Sequence, residues 1–311
     1  MDAPLPTLRI ALPVPLPQLF DYLPPDGAAP EAVVGCRIRV PFGPRELVGL
    51  VVEQGSADPA SSLRQALDWL DPAPLLQGEL WQSLQWLARY THAPLGEVLS
   101  TALPGPLRHG EPLPDTHHWG WQLTAAGHEQ RGSLRAGSRP RQLAELLAEA
   151  VVDEDVIAAR MDDWRTPARS LAKRGLAERV ALAVAPLLAS PLGGPTLNPE
   201  QATAVQAITA AQGFAPFLLD GVTGSGKTEV YLRAIERILR RSPTAQALLL
   251  VPEIALTPQF VRLLCARFPE WPPAVLHSAV PEAQRCAAWV AAHEGRARLI
   301  VGTRMAVWAS M

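Results

Sequence analysis

The sequence predicts a multidomain α/β protein, and three observations carry that prediction. An alternating, β-type N-terminal stretch gives way near residue 110 to a helix-rich segment. A Ser190-Pro191-Leu192-Gly193-Gly194-Pro195 break then marks a linker. Beyond it, helix and strand alternate around a complete glycine-rich loop, Gly221-Val222-Thr223-Gly224-Ser225-Gly226-Lys227-Thr228. The expected divisions are 1–110, 111–190 and 191–311, and 311 residues leave room for two or three cores.

The first division opens with alternation in Leu8-Arg9-Ile10-Ala11-Leu12 and again in Cys36-Arg37-Ile38-Arg39-Val40. A turn at Phe42-Gly43-Pro44-Arg45-Glu46 leads to a strand-like run over 47–53. Helical spacing follows at 79–90, with Leu80, Trp81, Leu84, Leu87 and Ala88 on one face, and a second short helix is predicted over 96–103. In the middle division the spacing predicts helices over 142–151, 155–161 and 168–174, the last opened by Thr166 and Pro167 and closed by Gly175. A hairpin is expected over 176–185. Three short helices and a β-wing form the pattern of a winged-helix module, whose third helix, with Arg165, Arg169, Lys173 and Arg174, suits phosphate contacts. An ordinary solvated helix face fits the same residues. In the last division strands are predicted near 217–220, 247–251, 274–276 and 299–302, with helices between them.

Net charge is -2, so no global basic field marks a nucleic-acid binder and any such contact must be local. Cys36, Cys265 and Cys286 lie far apart and form no Cys-x-x-Cys pair. No zinc ligands and no disulfide framework are therefore expected, only buried thiols in a reducing compartment. The start lacks a basic segment followed by an apolar core, and no apolar run approaches the roughly 20 residues that span a bilayer. The expectation is a cytoplasmic chain with no membrane partner.

The loop's residue types follow from its chemistry. An apolar strand ending at Leu219 and Asp220 would feed a turn whose backbone N–H groups wrap phosphates at a helix start. Gly221, Gly224 and Gly226 allow close approach and Ser225 stands between the last two. Lys227 would reach the outer phosphates and the Thr228 hydroxyl would hold Mg²⁺. Lys227 is one of only two lysines, with Lys173, in a chain that otherwise uses arginine.

Several segments taken together resemble one family. They are Leu197-Asn198-Pro199-Glu200-Gln201, the loop with its continuation Glu229-Val230-Tyr231-Leu232, the block 251–259 (Val-Pro-Glu-Ile-Ala-Leu-Thr-Pro-Gln), His277-Ser278 and Gly302-Thr303-Arg304. In that order they are similar to the first RecA-like helicase lobe of the primosomal protein N′ family, the replication-restart DNA helicases of superfamily two. ALPVPLPQLFDYLPP and GCRIRVPFG near the start resemble the same family's N-terminal domain, which captures the 3′ end of a nascent leading strand.

The resemblance implies roles by residue. Gln201 would recognise adenine of ATP, while Thr257, Gln259, Thr303 and Arg304 would line a single-strand track through the phosphate backbone. Phe20, Asp21, Tyr22, Gly43 and Arg64 would form a pocket for a DNA 3′ end, with Asp21 accepting from the 3′-hydroxyl and Phe20 or Tyr22 stacking on the last base. At Arg64 the family carries lysine, and guanidinium for ammonium is not a neutral exchange. By pattern alone, Phe20 and Tyr22 are alternate residues of a half-buried strand. Implied partners are forked and single-stranded DNA, single-strand-binding protein and primosome proteins.

No Asp follows Asp220. Hydrolysis in this class needs an acidic strand end on Mg²⁺ and arginines from a second lobe. The apolar run 247–251 followed by Pro252-Glu253 fits the strand-tracking block instead. The resemblance places the Asp-Glu-Glu-His motif, a zinc-binding insertion and the second lobe beyond Met311. The expectation is thus an incomplete lobe, marginally stable over 196–311, in a chain that binds ATP and forked DNA without hydrolysis or unwinding by itself. The alternative is a non-enzymatic DNA 3′-end-binding module with a vestigial nucleotide site. A small-molecule kinase would need a lid and an acidic base that the sequence does not offer.

Overall fold

The computed structural model describes residues 5–58, 62–182, 194–222, 224–252 and 258–311. The chain divides into two compact units, Met1–Asp115 with Ala189–Met311, and Thr116–Leu188.

In the first unit, β1 (Leu5–Ala11), β2 (Phe20–Tyr22), β3 (Arg37–Phe42), β4 (Arg45–Ala57) and β5 (Asp68–Trp69) form an antiparallel sheet in the order β2-β1-β4-β3-β5. Alternation builds it: Leu8, Ile10, Ile38 and Val40 are buried with Tyr22 and Val51 on one face, while Arg9 between them is exposed. β3 and β4 join through Gly43-Pro44, since Phe42 pairs with Arg45. Gly43 has φ 60, and proline's fixed φ at the second position leaves the type II′ turn, which puts glycine first.

Three helices, α1 (Gly78–Thr91), α2 (Leu95–Ala102) and α3 (Gly105–Arg108), follow the sheet. Leu84, Leu99 and Leu107 are fully buried in a cluster shared with Leu276, Trp289, Val290, Ile300 and Ala306 from the C-terminal part. Burying each such side chain contributes about 1.5–3 kcal/mol. The C-terminal part comprises α8 (Pro199–Ala210), α9 (Lys227–Arg241), β9 (Ala247–Leu250), α10 (Pro258–Arg267), β10 (Ala274–Leu276), α11 (Glu282–His293) and β11 (Leu299–Gly302), and closes on a 3₁₀ turn, Arg304–Trp308. Its strands are parallel in the order β10-β11-β9. Three of the four expected strands are present. Residues 217–220 are not a strand: they pair with no neighbour among the described residues, and Leu218 is 94% exposed. An apolar run becomes a strand only where a ladder partner receives its backbone groups. The expectation of three buried thiols also needs correction. Cys36 and Cys286 are buried, but Cys265 is exposed, because α10 turns Leu264 inward and Cys265 out.

The second unit contains β6 (His118–Leu123), α4 (Ala125–Gln130), α5 (Arg139–Leu146), β7 (Val152–Asp153), α6 (Glu154–Arg160), α7 (Arg165–Lys173) and β8 (Ala177–Leu182), with sheet order β7-β6-β8. Trp121, Leu143, Ile157, Trp164 and Leu171 fill its core. The expected hairpin over 176–185 is instead a single described strand, β8, paired antiparallel to β6; residues 183–185 lie outside the described residues. β6, an aromatic alternation that the sequence reading passed over, takes the centre of the sheet. α5 starts earlier and ends earlier than the predicted 142–151, because the Ser138 hydroxyl caps Arg141 N (3.4 Å) and Val152 is drawn into a strand. α7 likewise starts before Thr166, whose hydroxyl bonds Asp163 (3.2 Å), and Gly175 follows its end at φ 68.

Candidate functional site

The phosphate loop is built from the helix behind it. α9 begins at Lys227, preceded by Gly226 at φ 80 and Gly224 at φ 83, a backbone that L side chains rarely adopt. A Cβ on Gly226 would lie 2.5 Å from Gln201 Nε2. That closeness reflects a direct tie, since Gln201 Nε2 donates to the Ser225 carbonyl (2.9 Å). Gln201 Oε1 accepts from Asn198 N (3.0 Å) while Asn198 Oδ1 accepts from Gln201 N (2.8 Å), so one side chain both closes the α8 capping box and braces the loop. One N–H and one lone pair of the carboxamide remain for a purine edge.

The Lys227 ammonium donates to the carbonyls of Gly221 and Val222, and Asp220 Oδ1 accepts from Gly221 N (2.8 Å). Thr228 is exposed in the first helical turn, its hydroxyl bonded to Tyr231 (3.2 Å). Positive-φ glycines, a 15-residue helix start, an ammonium and an exposed hydroxyl are the donor set that fits a triphosphate with Mg²⁺.

Behind the loop is a feature that sequence reasoning missed. Arg267, 5% exposed at its side chain, bridges Glu229 (3.1 Å) and Glu236 (3.2 Å), and Arg233 bridges Glu229 (2.8 Å). This network pins the first turns of α9. The i,i+4 pair Glu229 and Arg233 was visible in the sequence; the distant Arg267 was not.

Gly302, Thr303 and Arg304 lie where β11 ends. Thr303 is buried, its N–H donating to the Leu276 carbonyl (3.2 Å), while Arg304 is exposed. Gln259 is exposed on the first turn of α10, and Thr257 lies outside the described residues.

The expected end-pocket residues gather mostly at one sheet edge. Phe20 meets Phe42 edge-on, with ring centroids 5.4 Å apart, and Gly43 follows Phe42 in the turn. Tyr22 is buried and its hydroxyl donates to the Pro41 carbonyl (2.9 Å). Burial pushes the Tyr22 phenol above its ordinary value, against the pull of Arg64. Leu23 N donates to the Arg64 carbonyl (2.9 Å), bringing Arg64 beside β2. Asp21 points to the opposite face from Phe20 and Tyr22, as strand alternation requires, and faces Arg9 at 3.6 Å. Of the two rings, Phe20 is the one with accessible surface.

A phosphate loop opening a helix beside a parallel sheet, joined by one core to an antiparallel sheet, defines a protein of the P-loop class. Residues 198–311 match the DEAD/DEAH box helicase family, and residues 9–104 match the 3′DNA-binding domain (3′BD) of PriA. The replication restart protein PriA of Haemophilus influenzae is 37% identical over 97% of this chain and 42% of its own length. Those of Treponema pallidum and Bacillus subtilis are 28% and 27% identical over 98% and 93% of this chain, and 37% and 45% of their own lengths. The chain thus spans less than half the length of these relatives. It belongs to the PriA family of replication restart proteins, the family also known as primosomal protein N′.

Proposed function

We propose that this chain supplies the fork-recognising and nucleotide-binding portion of an ATP-dependent 3′-to-5′ DNA helicase that restarts stalled replication forks. The observation that carries the reading is the shared core: Leu84, Leu99 and Leu107 of the β-rich part pack with Trp289, Val290 and Ile300 of the nucleotide-binding part, so end recognition and nucleotide binding belong to one packed unit.

In this reading ATP sits at Gly221, Gly224, Ser225 and Gly226, with Gln201 on adenine, Lys227 on the outer phosphates and Thr228 on Mg²⁺. Magnesium supplies charge neutralisation between the phosphates when bound. Asp21 accepts from a 3′-hydroxyl on one face of β2 and Phe20 stacks on the last base on the other, so the terminal nucleotide straddles the strand, with Gly43 following Phe42 on the Phe20 side and Arg64 next to β2. Thr257, Gln259, Thr303 and Arg304 follow a single strand by its phosphates.

The second unit functions as a winged-helix variant in which β6, from its own N-terminal end, takes the place of a wing strand. Forked and single-stranded DNA are the substrates, and single-strand-binding protein and primosome proteins the partners, in the cytoplasm. No described helix is long and apolar enough to cross a membrane.

Fluorescence anisotropy on forked DNA with either a 3′-hydroxyl or a 3′-phosphate tests the reading. A hydrogen bond to a carboxylate predicts about a tenfold preference for the hydroxyl, lost in Asp21→Ala. Equal affinity for both ends would refute the assignment of the pocket.

A further inference from the structure

β1 carries one arginine between two carboxylates on the exposed side of the N-terminal sheet. Arg9 pairs in register with Asp21 of β2 on one side and with Glu53 of β4 on the other, so the three side chains form a row across three strands. The guanidinium is not shared equally. Its Nη1 donates to Glu53 Oε2 at 3.0 Å, while its Nε stands 3.6 Å from Asp21 Oδ1, an ion pair without a hydrogen bond. Among the described residues, nothing donates a hydrogen bond to the Asp21 carboxylate.

The backbone brings Glu53 to this row by an irregularity. Continued from the pairs Ile10 with Val51 and Ala11 with Leu50, an unbroken antiparallel ladder would set Val52 opposite Arg9. Instead the register shifts between Arg9 and Ile10, Val52 becomes the extra residue of β4, and Glu53 faces Arg9. Such a bulge interrupts the ladder and re-aims a side chain. Here its effect is to give a second carboxylate to an arginine that would otherwise have only Asp21.

We propose that Glu53 is a positioning residue that withholds Arg9 from Asp21 and so leaves the Asp21 carboxylate open to the 3′-hydroxyl of a DNA end. The inference rests on the reading of Asp21 as the acceptor of that hydroxyl and adds to it the residue that keeps the acceptor free.

The competition is direct. Closing the gap between Arg9 and Asp21 by about 0.7 Å reaches an ordinary hydrogen bond. An arginine fork that meets a carboxylate bidentately takes both of its oxygens. A hydroxyl proton would then find the lone pairs and the charge of Asp21 engaged. The side chains of Arg9, Asp21 and Glu53 are 45%, 51% and 54% exposed, so either pairing is a surface ion pair, worth up to about fivefold in an equilibrium. That suffices to set a preference between DNA ends. It is small beside what holds the strands, which rests on their ladders and on buried Leu8, Ile10 and Val51.

The test uses the whole chain and fluorescence anisotropy on forked DNA whose leading-strand end carries a 3′-hydroxyl or a dideoxy terminus. The two ends have equal charge, so the altered net charge of a variant cancels in the ratio of affinities. A hydrogen bond to Asp21 predicts about a tenfold preference for the hydroxyl in the wild type. Glu53→Gln should cut that preference to about twofold by letting Arg9 close on Asp21. Arg9→Gln should keep it near about tenfold. The double variant Arg9→Gln with Glu53→Gln should restore it, a recovery that a loosened sheet would not give. An unchanged preference in Glu53→Gln overturns the proposal, as does its loss in Arg9→Gln alone. A double variant as poor as Glu53→Gln also overturns it, since Glu53 would then act without Arg9. Asp21→Ala separates the inference from the reading beneath it. If Asp21→Ala keeps the preference, or the wild type shows none, the end-pocket reading fails and the inference with it. If Asp21→Ala abolishes the preference while Glu53→Gln leaves it intact, only the role of Glu53 falls.

Discussion

Replacing Asp71 by Asn should be among the most damaging isosteric changes in the first unit. The side chains of Asp71 and Arg37 are both 0% exposed and lie 2.7 Å apart. Asp71 also accepts from the backbone N–H of Arg37 (2.8 Å) and from Nε (3.1 Å). The other guanidinium nitrogen donates to the carbonyls of Leu107 (2.6 Å) and Glu111 (3.0 Å). One arginine therefore fastens β3 both to Asp71 and to the end of α3. Asn keeps the volume and part of the hydrogen bonding but leaves a guanidinium buried without a counter-charge.

Breaking a buried pair on one side costs about 3–5 kcal/mol, a fifth or more of the typical 5–15 kcal/mol that holds a domain folded. The damage should reach the nucleotide-binding part, because Leu107 packs in the cluster that contains Trp289 and Val290. The assay is urea unfolding followed by tryptophan fluorescence. The double variant Arg37→Met with Asp71→Leu should recover most of the loss, since apolar side chains of similar size replace a buried pair at little or no cost. A loss below about 1 kcal/mol in Asp71→Asn would refute the reasoning, as would a double variant less stable than the single one.

Two further outcomes follow from the geometry. Gly226→Ala places a Cβ 2.5 Å from Gln201 Nε2 at φ 80, which costs about 1–2 kcal/mol and displaces the brace on Ser225; affinity for a fluorescent ATP analogue should fall about tenfold, and a change below about twofold would exclude the tie between Gln201 and the loop. Burial lowers the His293 imidazole below its ordinary value, against the opposing pull of Asp71, so the folded state favours neutral His293. Its contribution to stability is complete above the unfolded value of about 6.5 and is lost as pH falls from there through the lower folded value. Urea midpoints at about pH 7.5 and about pH 5.5 should therefore differ more in the wild type than in His293→Gln, and identical differences would sink the assignment.

What the sequence disclosed depended on how local the determinant was. The phosphate loop is eight contiguous residues with its helix behind it, so motif and apolar face read together. β1 and β3 announce themselves by alternation, β4 by an apolar run after a turn, and α1 by spacing. Arg37 shows where the same rule misleads. It alternates with Ile38 as an outward residue should, yet its face is covered by α3 and the following turn, and its partner Asp71 is 34 positions away. β6 escaped because a strand is defined by its partners, and those partners come from 29 or more positions downstream, Val152 and Ala177–Leu182. Residues 217–220 err in the opposite direction, having strand composition without a ladder. The cleft lined by Trp121, Glu154, Trp164, Arg165, Arg169 and Arg179 combines α6, α7, β6 and β8, so the sequence offered only its helical half, Arg165 and Arg169.

The contacts at the end of the chain connect these local features. Trp289 Nε1 donates to the carbonyl of Trp308 (2.9 Å), in the 3₁₀ turn that begins at Arg304. Two residues later the Ser310 hydroxyl donates to the carbonyl of Leu75 (3.1 Å), a contact 235 positions apart in sequence. Having given its one proton to Leu75, that hydroxyl accepts from His293 Nδ1 (3.0 Å), which places the imidazole proton on Nδ1. The turn after Gly302-Thr303-Arg304 is thereby tied to the segment that leads from the N-terminal sheet into α1. A shift of Arg304 along a bound strand would have to move this turn against Leu75 or break the serine bond. Leu75 itself packs in the cluster that holds Leu276, Trp289 and Ile300, so this turn and the segment before α1 belong to one core.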